Sequence, residues 1–272
     1  MHLSDLLSEE IRDYEGERLR LDALFQKEKL FYNRYESTTL KESVSHDFMD
    51  SKLRGTSISI EDFLCRCSRE WRIPSLDGLL FCCEVMLNLT ALISEKHWYS
   101  EVVLRGKSRL EENIRIILDK TGHYSKKESD GLIYVIKKDA LASAVIEDLS
   151  DKDVAMAVLA YNRIESKGDL EAKRKLLFAI GKHVEPILQQ YKTFKDLKFE
   201  VADNVRFGLN NLHIRHNNEE GKEAKPILAQ MSKEALEEAY DDLYRSMLLL
   251  IEMDKYPAAS ARIEQLRNQI KS

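Results

Sequence analysis

The sequence predicts an all-α protein, a multi-helix bundle with at most one short β element near residues 132–136. Glycine (10) and proline (4) are scarce among the 272 residues, so few positions suit the tight turns that join many short strands. Apolar residues recur every three or four positions over long stretches, which is the spacing of one helix face. The length is sufficient for two domains, each with its own core.

Charge and hydropathy indicate a cytoplasmic protein. The net charge of −5 is spread over 33% charged residues, which describes a solvated surface of mixed sign and no global positive field. Any contact with RNA must therefore be local. No stretch approaches the roughly 18 apolar residues of a membrane span, and the N-terminus carries Asp5, Glu9 and Glu10 where a signal peptide would be basic and then apolar.

The cysteines do not have the spacing of a structural zinc site. Cys65 and Cys67 are separated by one residue, and Cys82 and Cys83 are adjacent, whereas zinc ligands usually come in pairs two to four residues apart on turns. We expect reduced thiols that pack as small apolar side chains. The sequence predicts neither a metal nor a cofactor.

The first half of the chain reads as a series of helices. Periodic apolar residues from about residue 4 to 36 predict a long first helix, and residues 37–57 resemble a loop with one short helix. Ser59 is expected to cap a helix that runs through Trp71. The most apolar segment, Leu79 to Ile93, predicts a buried central helix, and another helix is expected over residues 105–120.

We place a domain boundary near residue 130. The polar run 121–130 is the best candidate for a linker, and the run Leu132 to Ile136 is the only convincing strand. The sequence thus predicts an N-terminal helical domain over residues 1–130, of unknown role, and a helical bundle over residues 131–272.

The second half predicts a regular succession of helices, in which Pro186 is expected to kink or end one helix and Pro257 to begin the last.

Because Met247 to Ile251 offers apolar residues around the whole helix, we expect this half to form a homodimer. The expected helices cover residues 139–149, 150–165, 170–191, 197–214, 233–253 and 257 onward.

One segment of the second half carries a pattern that suits chemistry. At about 100° per residue, Arg206 and His213 fall within roughly 20° of each other on a helix, and Asn210 lies about 40° from Arg206. Apolar positions flank this polar stripe on both sides. A half-buried arginine needs an acceptor, and a bound anion is one solution.

The residue types suit cleavage of a phosphodiester by an internal 2′-hydroxyl, which needs no metal. Histidine can move a proton near neutral pH, and arginine can stabilise charge on the phosphate. Asn210 could orient either group by hydrogen bonds. In the simpler interpretation, Arg206 pairs with a carboxylate such as Asp203 or Glu200 and has a purely structural role.

Two further sets of residues are secondary candidates. The turn after the stripe offers an alternative site with Arg215, His216 and Asn217. Lys173, Arg174 and Lys175 lie close together near a predicted helix start, where they could meet RNA phosphate, although such a cluster is more often a solvated face.

The segment from Arg206 to His213, followed by Ile214 to Asn218 and a long apolar helix, resembles the HEPN superfamily and in particular its bacterial abortive-infection members. In that superfamily an arginine, four to six residues and a histidine form the signature, and this chain matches at the upper limit. The resemblance covers under half of the chain. It departs from the usual pattern at Phe207, where a polar residue often follows the arginine.

This resemblance implies a helical bundle that acts as a metal-independent endoribonuclease, with RNA as substrate, in a homodimer whose motifs face each other. It also implies a role as a toxin or phage-defence effector and a neutralising or sensor protein as partner. Two alternatives stay open. One is a catalytically silent HEPN-like module that binds a nucleotide or a partner protein, and the other is a helical scaffold in which Arg206 makes ordinary intrachain salt bridges.

Overall fold

The computed structural model describes residues 10–71, 73–93, 100–190, 197–215 and 230–271, together with Leu228. The chain divides into two compact units between Lys138 and Asp139. Most described residues of both units are helical, which confirms the predicted all-α class. The prediction of at most one short β element near residues 132–136 is wrong, because the described residues include two antiparallel two-stranded sheets. None of the described helices is both long and apolar enough to cross a membrane.

The first unit surrounds a buried central helix, as the sequence predicted. Cys82 and Cys83 on this helix are free thiols within the core, and burial raises the pKa of Cys82 to about 12. In its described part, the unit contains α1 Tyr14–Asp22, β1 Leu30–Phe31, β2 Ser37–Thr38, α2 Leu40–Met49, α3 Ile60–Trp71, the central α4 Leu76–Thr90, α5 Glu101–Lys120, β3 His123–Lys127 and β4 Ile133–Lys137.

The division of the chain lies after β4 rather than near residue 130, because side chains of α4 bind this strand. The backbone N–H of Val135 donates to Glu84 Oε2 at 2.6 Å. Asn88 accepts a bond from the Ile133 N–H at 2.9 Å and donates one to the Ile133 carbonyl at 2.6 Å. These side chains satisfy backbone groups of β4 that no third strand among the described residues reaches. The strand therefore belongs to the first unit.

Two expectations for the first unit are wrong. The first helix ends at Asp22, passes through a π turn to Lys27, and gives way to the β1–β2 hairpin. The polar run expected to be a linker contains β3, which pairs antiparallel with β4 over five residue pairs. Polar sequence concealed this strand because β3 faces solvent over most of its length.

The second unit is a bundle of helices. The last helix packs against the third and fourth, and the first two pack beside them. Its core consists of apolar residues drawn from five helices that the structure describes. These helices are α6 Ala140–Asp148, α7 Lys152–Tyr161, α8 Leu170–Gln190, α9 Leu197–Asn211 and α10 Lys233–Lys271.

Neither proline ends or begins a helix. α8 continues past Pro186 to Gln190, since the burial of Ile187 and Leu188 holds its last turn in the core. α10 likewise continues through Pro257 as one helix of 39 residues. A proline inside a helix removes one N–H donor, and here the helix continues without that hydrogen bond.

Most of the apolar run Met247 to Ile251 is buried inside the bundle. Four of its five residues are at most 2% exposed, and only Leu249, at 41%, faces solvent. The expectation that this run exposes apolar residues around the whole helix is therefore wrong. The homodimer itself stays a prediction.

Candidate functional site

Two glycines bring α9 into close contact with its neighbours. A Cβ atom on Gly181 of α8 would lie 2.8 Å from Leu209 Cδ2, and one on Gly208 of α9 would lie 2.7 Å from Leu243 Cδ1 of α10. Neither distance is found between real side chains at equilibrium. The missing side chains let α9 approach both helices, and this packing fixes the position of its C-terminal end.

α9 ends at Asn211, three residues before the predicted end. The Arg215 N–H donates to the Leu209 carbonyl at 3.2 Å, and His213 has a φ of 58°, in the left-handed region where helix C-termini usually have glycine. This backbone conformation turns the chain away from the helix axis. His213 and Arg206 therefore do not lie on one helix face, and that expectation is wrong.

His213 is held in this turn by α8. Its side chain is 5% exposed, and its carbonyl accepts a hydrogen bond from Arg174 Nη1 at 3.2 Å. A non-glycine residue in the left-handed region costs about 1–2 kcal/mol. Packing of the turn against α8 must offset this cost.

Arg206 has intrachain partners. Its Nη2 donates to the Leu188 carbonyl at 3.0 Å, and its Nη1 lies 3.4 Å from Asp203 Oδ1. Since Leu188 lies in the last turn of α8, the cation also meets the negative end of that helix dipole. These are the ordinary contacts that the scaffold hypothesis predicted for Arg206.

Asn210 is bound to Arg215. The Asn210 Oδ1 accepts a hydrogen bond from Arg215 Nη1 at 3.0 Å, and Arg215 Nη2 forms an ion pair with Glu185 of α8. Partial burial lowers the pKa of Arg215 through loss of solvation. Of the predicted site residues, the structure thus brings Asn210 and Arg215 together, whereas His216 and Asn217 lie outside the described residues.

Arg215 lines a pocket between α8 and α9. The pocket encloses about 190 Å³, which is smaller than a site for a complete nucleotide and large enough for a phosphate group or a few waters. Lys182 reaches over the Phe178 ring, with its Nζ 4.5 Å from the ring centroid. The lining combines three charged and three apolar or small residues: Lys182, Glu185, Arg215, Phe178, Gly181 and Leu209.

Lys173 is a buried ion-pair residue, so its predicted contact with RNA is wrong. It is 4% exposed, and its Nζ lies 2.6 Å from Asp241 Oδ1 and 2.8 Å from Glu237 Oε1, both on α10. The Tyr161 hydroxyl donates to the same Asp241 oxygen at 2.8 Å, and burial, the largest cause, raises the pKa of Tyr161. In the sequence, only the spacing of Glu237 and Asp241 by four positions, which places them on one helix face, indicated this cluster.

The neighbours of Lys173 are less buried. Arg174 binds Glu171 with two hydrogen bonds, both 3.0 Å, in addition to the His213 carbonyl. Lys175 is exposed, with its Nζ 3.6 Å from Glu171 Oε1. Of the predicted basic cluster, Lys173 is therefore buried in the core, Arg174 binds the turn at His213, and Lys175 is exposed to solvent.

The fold and this site define an all-α protein of two units, with an arginine pocket at a helix end in the second unit. Comparison with protein-family models, curated proteins and solved structures finds no match. Within the described ranges, no group of three or more His, Cys, Asp or Glu residues is placed to hold a metal ion.

Proposed function

We propose that the second unit is a HEPN-like helical module that binds a phosphate group of RNA, or of a nucleotide, in the pocket at the end of α9. One observation carries this proposal. Arg215, whose guanidinium is partly removed from water, is one of the residues that line a pocket, and Lys182 is another. A planar guanidinium can bind phosphate, as it binds carboxylate, through two parallel N–H donors.

The hydrogen bonds of Arg215 are compatible with a further ligand. A guanidinium has five N–H donors, and one each from Nη1 and Nη2 is engaged with Asn210 and Glu185. These two contacts orient the planar group, so less side-chain entropy is lost when an anion binds. Glu185 offsets part of the positive charge in the pocket and hence competes with the anion.

Two substitutions separate this function from a purely structural ion pair. Arg215→Gln should weaken binding of a fluorescein-labelled single-stranded RNA about tenfold or more, measured by anisotropy at fixed salt. Glu185→Gln should tighten it several-fold, because the competing charge is gone. A structural ion pair predicts instead that neither change alters binding apart from a loss of stability.

Arg245→Gln is the matched control, because Arg245 is an exposed arginine on α10 whose Nη1 lies 3.6 Å from Asp242 Oδ1. Its affinity for RNA should stay within about twofold of the unchanged protein. Equal weakening by Arg245→Gln and Arg215→Gln would show that binding follows general surface charge and would overturn the pocket proposal.

A second candidate function is metal-independent RNA cleavage, as in a toxin or phage-defence effector. It is favoured by the strained backbone of buried His213, since residues in sparsely populated conformations cluster at functional sites. Because His213 lies beyond the end of α9 and does not share a helix face with Arg206, we assign the candidate chemistry to the alternative pair. In that pair Arg215 would stabilise the phosphate and His216 would move the proton.

Cleavage can be tested with RNA in EDTA. His216→Ala should reduce the rate a hundredfold or more while leaving RNA affinity nearly unchanged, and Arg206→Ala should retain activity. An RNA with a single 2′-deoxy nucleotide at the cleaved position should resist. If the unchanged protein binds RNA and leaves it intact, the binding function stands alone.

A further inference from the structure

The second part of α10 leaves the core of its unit. The helix is buried on one side as far as Ile251, and beyond that residue the described side chains are half-buried or exposed. About 20 residues of helix, or about 30 Å, extend in this way. Helices in proteins take most of their stability from the packing of an apolar face.

The extended part carries an apolar stripe at heptad spacing. Leu249, Tyr256 and Ile263 follow one another at intervals of seven, and Leu266 comes three residues later. They are 41%, 63%, 51% and 56% exposed. At about 100° per residue all four lie within an arc of about 100°. Residues repeating at seven and three positions form the seam of a two-stranded coiled coil.

We propose that this stripe pairs with the same stripe of a second copy of the chain, with the two helices antiparallel. Along the seam, Glu252 lies in the middle of the apolar arc and Arg267 lies at its edge, five turns after Leu249. Antiparallel overlap centred near Ala261 places Tyr256 of one copy opposite Leu266 of the other. The overlap covers the stripe from Glu252 onward and leaves Leu249 outside it. It also places each Glu252 within about one turn of the other copy's Arg267.

Parallel pairing lacks this charge complementarity. It would set Glu252 beside Glu252 and Arg267 beside Arg267, which is unfavourable in a seam that excludes water. The present partners of these two side chains are exposed or half-exposed: Glu252 lies 3.2 Å from Lys255 Nζ and Arg267 lies 3.8 Å from Glu264. Exposed ion pairs of this kind contribute little to stability, so Glu252 and Arg267 can replace them with contacts across the seam.

The first experiment measures mass by sedimentation equilibrium, without RNA, so that its outcome is independent of the proposed function. The chain should form a dimer at micromolar concentration, and Ile263→Asp and Leu266→Asp should each raise the dissociation constant at least tenfold. Ile58→Asp is the matched control, because Ile58 is 78% exposed in the first unit, and its dimer should be unchanged. Far-UV circular dichroism should show that all variants remain helical.

The second experiment tests orientation. Glu252→Arg and Arg267→Glu should each weaken the dimer several-fold, and the double variant should recover most of the lost affinity. Weakening without recovery would overturn the antiparallel arrangement. A monomer at all concentrations, including one that binds vesicles of phosphatidylglycerol through this helix, would overturn the pairing itself.

Discussion

The two ends of α8 hold cations in opposite ways. Near its beginning, Lys173 is 4% exposed and bound to two carboxylates of α10. Near its end, Arg206 and Arg215 are partly exposed. Arg206 binds the Leu188 carbonyl and Asp203, and Arg215 binds an amide oxygen and Glu185, so each has one carboxylate. A cation compensated by two anions inside a core contributes to stability, whereas a cation with spare donors at a pocket can bind a ligand.

The largest effect is expected from removal of the buried cation. Lys173→Met should lower the free energy of unfolding by about 3 kcal/mol, the lower end of the usual ~3–5 for breaking a buried pair, because Asp241 still reaches water. Urea denaturation would measure this loss. Lys175→Met, two residues along the same helix, should change stability by less than about 0.5 kcal/mol. Equal losses of unfolding free energy in the two variants would show that the buried Lys173 contributes no more to stability than the exposed Lys175.

A smaller loss is expected where α8 meets α9. Gly181→Ala places a methyl group 2.8 Å from Leu209 Cδ2. Overpacking of this kind costs about 1–3 kcal/mol, and the better helix propensity of alanine offsets up to about 1 kcal/mol of it. The same change should weaken RNA binding, because Gly181 lines the pocket. In a double-mutant cycle with Leu209→Ala, the combined loss should be less than the sum of the single losses. Additive losses would mean that the two residues are not in contact.

Arg206 and Arg215 both lie near this end of α8, and we expect them to differ in their effect on RNA binding. Arg206→Met should cost about 1 kcal/mol through loss of the hydrogen bond to the Leu188 carbonyl. RNA affinity should stay unchanged, since Arg206 is not among the residues that line the pocket. If Arg206→Met weakens RNA binding as much as Arg215→Gln does, the binding surface extends beyond the pocket.

The smallest effect concerns Glu171. Hydrogen bonding to Arg174, the first cause, holds the pKa of Glu171 below its usual value in the folded protein. The resulting stabilisation is present above the pKa of the unfolded chain and is lost as pH falls through the folded value. Urea midpoints should therefore fall slightly less between pH 7 and pH 3 in Glu171→Gln than in the unchanged protein. An identical pH dependence would contradict this role.

Local signals predicted most helices of both units. Ser59 and Ser75 each accept a hydrogen bond from a backbone N–H in the first turn of the following helix, as their position before an apolar run suggests. Long amphipathic segments were located within a few residues. The helix covering residues 101–120 and the buried helix around Cys82 and Cys83 are examples.

The errors arose where tertiary contacts override local preference. The sequence of β3 is polar, and it forms a strand because β4 needs a hydrogen-bonding partner. His213 has high enough helix propensity to continue α9, and it leaves the helix because the turn packs against α8 and is held by Arg174. Helical periodicity could not show these contacts, because the partners lie between 6 and 39 residues apart in sequence and belong to different elements.

The sequence by itself determined the helical class, the caps, the buried central helix and the residue types available for phosphate chemistry. These depend on periodicity and on hydrogen bonds between near neighbours. Only the tertiary structure decided which cation is buried, which arginine lines a pocket and which apolar stripe stays exposed. Burial and ion pairing depend on the approach of distant segments, and Asp241 and Glu185 acquire their roles only when α10 and α9 pack against α8.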